Sequence, residues 1–261
     1  MKTTFAALLT CFTLTALSKA EVMEKVMEYT SAGTVCEGVQ IVDKAKASAG
    51  KLPSVLIVHQ WTGVSENEKM RGRMLAELGY NVFLADVYGK GVRPSGPPAS
   101  AKEAGKYKSN RALLRQRVAD GLAELKKLPE TDTAHVAAIG YCFGGTAVIE
   151  LARSGAEVNG VVSFHGGLDS PTPADGKNIK GEVLALHGAD DPFVPAADVK
   201  AFEDEMKAAS VKYQLVSYPG AVHAFTQKAA GNDPSKGAAY QAEADQKSWE
   251  AMVAFFGRVL K

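Results

Sequence analysis

The stretch H-V-A-A-I-G-Y-C-F-G-G-T-A-V-I-E-L-A, residues 135–152, decides the fold. His135–Ile139 is a short apolar run of the kind buried on both faces of a sheet, and Phe143–Ser154 reads as a helix. Between them G-Y-C-F-G, Gly140 through Gly144, fits the tight turn that joins a strand to a helix and lifts a nucleophile above the sheet. Glycine is required on both sides, because the central residue takes a strained backbone and close packing leaves no room for a neighbouring Cβ. Cys142 stands where such turns commonly carry serine. The start of a helix favours negative charge, so this position depresses a thiol pKa and can stabilise an oxyanion. A buried cysteine in a glycine-flanked turn is the alternative, and the neighbouring strand ends bear on the choice.

Outward from this turn, Ser54–His59, Asn81–Ala85, Val158–Phe164, Val183–His187 and Tyr213–Tyr218 are further short apolar runs. They alternate with helical patterns over Asn67–Leu78, Arg111–Lys127, Ala196–Ala209 and Gly237–Leu260. This alternation predicts an α/β chain, a mostly parallel sheet with helices on both faces, in a single domain. Thr34–Val42 is expected to add an antiparallel edge strand. Residues 88–109 hold too many Gly, Pro and Lys for a regular element and are expected to form a substrate-facing lid or a solvated excursion. Residues 224–236 make a second irregular piece.

At 261 residues, 46% hydrophobic and 23% charged, with a formal net charge of +1, the chain is an ordinary globular one without a basic surface for nucleic acid. Residues 1–20 read as an export signal: Lys2 is the positive start, Phe5–Leu17 the apolar core, and Ser18-Lys19-Ala20 the small-x-small cleavage site. The apolar run is shorter than the roughly 20 residues a membrane span needs, so no stable insertion is expected after cleavage. Residues 21–261 then form the working domain of an exported protein, periplasmic or secreted, with 28 basic side chains against 29 acidic. Cleavage discards Cys11 and leaves Cys36 and Cys142. Cys36 lies in the alternating T-V-C-E-G-V-Q-I-V and is expected to be a buried small apolar residue, not a disulfide partner.

Two more strand ends carry chemistry. V-L-A-L-H-G-A-D-D-P-F-V-P, residues 183–195, leaves a buried strand with Asp190 and Asp191; Y-P-G-A-V-H-A-F-T, residues 218–226, leaves another with His223. Nucleophile, acid and base thus follow the chain order of an α/β-hydrolase triad, each just past the C-terminal end of a strand, where ligands of open α/β sheets bind. Histidine suits the base because its pKa lies near neutrality, so it can take the thiol proton and return it to a leaving group. A buried carboxylate holds the ring in one tautomer. No His, Cys and Asp cluster has metal-ligand spacing and no glycine turn matches a phosphate fingerprint, so neither metal nor cofactor is expected.

With these residues in place the chain resembles the dienelactone hydrolase family of the α/β-hydrolase fold, from about Thr34 to the C-terminus. The family's G-x-C-x-G-G stands here as G-Y-C-F-G-G, its acid motif as D-P-F-V-P and its histidine motif as G-A-V-H-A-F. The resemblance selects Asp191 as the acid and leaves Asp190 as a loop-capping side chain. V-L-I-V-H-Q-W-T-G-V-S-E-N, residues 55–67, resembles the family's first loop. It implies an oxyanion hole made by the backbone N–H groups of Trp61 and Phe143, supported by His59. Where the family usually has Glu, this chain has Gln60, an amide that exchanges hydrogen bonds but cannot ionise. The resemblance therefore carries the triad without the family's carboxylate beside the thiol. It also implies arginines that hold a substrate carboxylate. Arg93 and Arg115 are the candidates, although Arg111, Arg115 and Arg117 share one charged helix and are expected to face solvent. His165 and His187, each near a strand end, are expected to be satisfied polar residues.

The expected function is hydrolysis of a small carboxylic ester or lactone through a Cys142–His223–Asp191 triad and a thioester intermediate. The alternative is a catalytically weak or inactive homologue that binds a small ligand in the same cleft.

Overall fold

The computed structural model describes residues 21–261; the expected export signal lies outside them. Eight strands form one sheet: β1 Val22–Ser31, β2 Thr34–Asp43, β3 Leu52–Val58, β4 Asn81–Ala85, β5 Thr131–Tyr141, β6 Gly160–Phe164, β7 Glu182–Gly188 and β8 Tyr213–Tyr218. Their order across the sheet is β1-β2-β4-β3-β5-β6-β7-β8. β1 and β2 pair antiparallel, as do β2 and β4, and every later pairing is parallel. The helices are α1 Lys44–Ser48, α2 Glu66–Leu78, α3 Pro97–Lys108, α4 Arg111–Lys127, α5 Phe143–Arg153, α6 Ala196–Ala208 and α7 Ala242–Val259.

The central strands are apolar throughout because each of their faces meets a different core. Leu56 and Val58 of β3 join Val136 and Ala138 of β5 in a core covered by α4 and α5, through residues such as Leu114, Val118 and Ala147. Val55 and Ile57 join Ala137 and Ile139 in the opposite core, closed by Leu75 of α2 and Met252, Phe255 and Phe256 of α7. All eleven residues of α5 are buried, apolar ones for the most part, with Glu150 and Arg153 as buried charges near its C-terminal end. Among the described residues no helix is long and apolar enough to cross a membrane.

Three expectations change. Thr34–Asp43 is second from the edge, because β1 pairs along its whole length from Val22 opposite Asp43 to Ser31 opposite Thr34. Residues 97–108 of the expected irregular stretch are helix α3: Pro97 and Pro98 occupy its first turn, where a missing N–H costs nothing, and Gly96 caps it at φ 79°. The last helix starts at Ala242, not Gly237, which sits in a left-handed turn at φ 77°.

Candidate active site

Cys142 follows β5 directly and caps α5 with φ 54° and ψ −117°, a region that non-glycine residues rarely enter. Its glycine neighbours make that possible. A Cβ on Gly140 would lie 2.0 Å from the Gly144 carbonyl oxygen, and one on Gly144 would lie 2.2 Å from that of Val58. His223 arrives from the loop after β8 and Asp191 from the loop after β7. His223 Nε2 stands 3.0 Å from Cys142 Sγ, and its Nδ1 stands 2.8 Å from Asp191 Oδ2. Asp191 is buried and its other oxygen accepts the Phe193 N–H at 2.8 Å, so the acid caps its own turn. Asp190, expected to be that cap, is exposed.

The electrostatics follow from these contacts. Burial opposes a charged sulfur, but the facing His223, its hydrogen bond and the Phe143 N–H outweigh it, and the Cys142 thiol lies below its ordinary pKa. Burial likewise opposes a charged ring, yet the Cys142 sulfur and the Asp191 hydrogen bond raise His223 to about 10. Each partner thus favours the other's charged form, thiolate beside imidazolium.

The first loop packs behind this pair. His59 is fully buried; its Nε2 accepts the Val87 N–H at 3.0 Å, which leaves Nδ1–H to donate to the Gln60 carbonyl at 2.5 Å. Burial lowers the His59 pKa and keeps it neutral. The Gln60 side chain is held by Glu68, donating Nε2–H to Oε1 at 3.0 Å. Glu68 Oε2 takes the Ser65 N–H at 2.9 Å and the Ser65 hydroxyl at 2.6 Å, closing the capping box of α2. The Trp61 N–H finds no backbone acceptor among the described residues, and the Phe143 N–H is among the groups that lower the Cys142 thiol.

A cleft of about 810 Å³ opens above the sulfur, lined by Trp61, Phe143 and His223, by Pro97, Ala101 and Ala104 of α3, and by Phe193 and Val194. Neither Arg93 nor Arg115 reaches it. Arg93 folds back on the Gly89 and Val92 carbonyls, and Arg115 bridges Glu150 and Asp175, both at 2.7 Å. The cations at the cleft are Lys108, the last residue of α3, and Lys236. Arg117 is buried, with Nη1 donating to the Ser31 carbonyl and Nη2 to Thr34 Oγ1, both at 2.6 Å, and Arg111 pairs with Asp169. Cys36 is buried and, like Cys142, a free thiol, with Arg117 Nη1 3.3 Å away. His165 has both ring nitrogens engaged, whereas His187 keeps a buried Nδ1 without a partner. Among the described residues no group of His, Cys, Asp or Glu could hold a metal.

A family model for dienelactone hydrolase matches residues 39–260, nearly the whole of the described chain and all three members of the constellation. The chain belongs to the dienelactone hydrolase family. It is therefore placed among the carboxylic ester and lactone hydrolases. Within that family it is similar to a solved dienelactone hydrolase-like promiscuous phosphotriesterase, P91, from metagenomic libraries, with 35% identity, a TM-score of 0.87, and 93% of this chain and 100% of that one covered. A second solved chain, m3DLH, is 34% identical with a TM-score of 0.88, over 92% of this chain and 99% of its own. A provisionally named carboxymethylenebutenolidase from Synechocystis sp. is 26% identical over 229 residues, 82% of this chain and 89% of the relative.

Sequence reasoning missed four residues around the dienelactone hydrolase site. Glu68 was readable from S-E-N-E at 65–68 as a capping box. Phe193, 62% exposed, stands edge-on to the His223 ring at 5.4 Å. Lys108 depends on a helix hidden among glycines and prolines. His165 was read as a satisfied polar residue, which it is, but not connected to Cys142.

Proposed function

We propose that this dienelactone hydrolase family member cleaves small carboxylic esters or lactones with Cys142 as nucleophile, His223 as acid and base, and Asp191 as its orienting partner. The observation that carries the reading is the unbroken Sγ–Nε2–Nδ1–Oδ2 line, at 3.0 and 2.8 Å. The thiolate attacks the carbonyl carbon, and the oxygen, as it becomes negative, is received by the N–H groups of Trp61 and Phe143. As the tetrahedral centre collapses, the imidazolium gives its proton to the departing oxygen and a thioester remains. Acylation removes the sulfur's charge, one of the main causes that raised His223, so the ring becomes a base just when water must be deprotonated. Hydroxide from that water attacks the thioester, and the acid and the thiolate are regenerated.

The apolar walls suit a compact acyl or aryl group, and the exposed Lys108 suits a negative group at the α3 side of the cleft. The likeness to P91, a promiscuous phosphotriesterase, makes phosphotriesters a second class, attacked at phosphorus by the same thiolate. Export to the periplasm or exterior is part of the proposal and rests on residues 1–20; the N-terminal sequence of the mature protein tests it. The chemistry is tested with a panel of aryl esters, lactones and aryl phosphotriesters. Ester and lactone turnover that iodoacetamide abolishes, with a pre-steady-state burst equal to one product per site, is expected. Ligand binding without any turnover would favour the non-catalytic alternative.

A further inference from the structure

The row of parallel strand ends β5, β6, β7 and β8 supplies Cys142, His165, Asp191 and His223 in turn, and the function above uses three of them. His165 follows β6 with no exposed surface and φ 40°. Cys142 at φ 54° and Ala224 at φ 58° are likewise left-handed non-glycine residues, so three of these four strand ends hold such backbone beside the sulfur. Strained residues of this kind persist only where their surroundings over-determine them.

What over-determines His165 is a pair of hydrogen bonds. Its Nδ1 lies 3.1 Å from the Cys142 nitrogen, and its Nε2 lies 2.9 Å from Thr226 Oγ1. A backbone N–H can only donate, so Nδ1 is bare and Nε2–H points at Thr226. The ring is thus a strut from the nucleophile's own backbone to the loop that carries His223, three residues before Thr226. Satisfying the amide does not require it, since the Cys142 N–H already reaches the Phe164 carbonyl at 2.9 Å. The ring also stands against His223, with centroids 5.3 Å apart, and against Phe225 at 5.1 Å. At the far end the Thr226 carbonyl accepts Arg71 Nη2 at 2.9 Å, and Arg71 pairs with Asp245 of α7 at 2.6 Å. The titratable and charged groups that face the ring are Cys142 from the elbow, Tyr141 from β5, His223 from the loop after β8, and Arg71 of α2 through Thr226.

We infer that His165 is a positioning residue that, in its neutral form, holds the Cys142 backbone and the His223 loop at the spacing that keeps sulfur and imidazole paired. The inference rests on the reading of Cys142 and His223 as nucleophile and base. Its consequence is specific: loosening either end of the strut lets the pair drift apart, and the thiol returns toward its ordinary pKa before the fold is lost. A histidine that only fills space beside Phe164 and Phe225 would be replaced by another ring without that change.

The test measures iodoacetamide alkylation of Cys142 against pH in His165→Phe, His165→Gln and Thr226→Val, with thermal unfolding of each. His165→Phe should move the alkylation midpoint upward by about one pH unit, lowering alkylation at neutral pH about tenfold, and should lower kcat with little change in KM. His165→Gln, which keeps a donor and an acceptor, should recover most of the loss, and Thr226→Val should show a smaller shift of the same sign. An unshifted midpoint in a folded His165→Phe overturns the inference, as does a His165→Gln no better than His165→Phe. Should His165→Phe fail to fold, an unshifted midpoint in Thr226→Val overturns it and an upward shift supports it. Wild-type ester turnover reads the function separately: a low wild-type midpoint that rises in the variants supports the strut even where no ester is hydrolysed.

Discussion

At the N-terminal end of α5 the Cys142 sulfur and the His223 ring stand 3.0 Å apart beside an open cleft, while at its C-terminal end Arg153 lies without exposed surface between Glu150 and Glu205. Both ends bury charge, and they bury it in different ways. Arg153 uses its fork completely: Nε and Nη2 meet the two oxygens of Glu205 at 2.9 and 2.6 Å, and Nη1 meets Glu150 at 2.9 Å and the Asp169 carbonyl at 3.1 Å. Arg115 takes the remaining Glu150 oxygen at 2.7 Å. Every nitrogen of the Arg153 fork has an acceptor. At the other end each group's charged form is favoured by its neighbour, the backbone is left-handed, and one side opens on the cleft. A saturated ionic cluster fixes geometry, and an ionisable pair with an open side supplies reactivity. The first also serves the second, since the Asp169 and Leu168 carbonyls held by Arg153 close the loop that begins at His165.

Breaking each end separately should sharpen this contrast. Cys142→Ala should reduce ester turnover by about 10⁴-fold or more while the unfolding midpoint stays near wild type, measured by steady-state kinetics and calorimetry. Arg153→Met should do the reverse: it strands Glu205 without its cation, leaves Glu150 to Arg115 alone, and should cost about 3–5 kcal/mol in urea unfolding, with activity per folded molecule largely kept. A third measurement reads the reactive pair directly. Because the thiol is lowered and the imidazole raised, the thiolate persists as pH falls below the ordinary thiol range. Iodoacetamide should therefore alkylate Cys142 at pH 6 about 10²-fold faster than a free thiol. His223→Ala should remove that advantage, and a wild-type rate no greater than that of a free thiol would contradict the ion pair.

The two ends of α5 also differ in how far the sequence revealed them. Cys142 and Asp191 were legible because each follows a strand whose end is apolar and buried on both faces, and His223 because the edge strand before it, although Gln214 and Ser217 are exposed, still reads as a short run over Tyr213–Tyr218; the family resemblance then selected Asp191 over Asp190. The C-terminal cluster was not legible. Arg115 and Arg117 belong to a charged helix that reads as solvated, and only the packing of α4 on α5 and β1 brings their heads against Glu150 and the Ser31 carbonyl. β1 escaped notice for a related reason. An edge strand with Glu24, Lys25 and Glu28 along it lacks the apolar run that marks a central one, and its order comes from pairing with β2. α3 was hidden because proline and glycine were weighed as breakers throughout, although two prolines in a first turn begin a helix.

Smaller perturbations probe the wall between fold and chemistry. Gln60→Glu replaces the N–H that Glu68 accepts at 3.0 Å with a second buried acid. One acid of the two must then keep a proton, so the introduced carboxyl has a folded pKa above its unfolded one. By linkage its contribution to stability is present below the unfolded carboxylate pKa and is lost as pH rises through the folded value. The variant should therefore lose about 1–3 kcal/mol relative to wild type at pH 8 and less at pH 5, read from unfolding midpoints across that range. A deficit independent of pH would mean that the Gln60–Glu68 contact does not persist in solution.

The smallest effect should come from Lys108→Ala, which lies outside both charge clusters. Lys108 stands at the C-terminal end of α3, exposed to the cleft and to water, so its attraction for a substrate's negative group is screened and competes with solvent. Its charge is also among the lesser causes that lower the Cys142 thiol, behind His223 and the Phe143 N–H. These two influences separate by substrate. For an ester with a carboxylate on its acyl side the variant should raise KM about tenfold, whereas for a neutral aryl ester KM should hardly move and only a slight upward drift of the alkylation midpoint should remain. Equal losses on both esters would place Lys108 with the reactive pair instead of with the substrate, and the open side of that pair would then be less selective than its cation suggests.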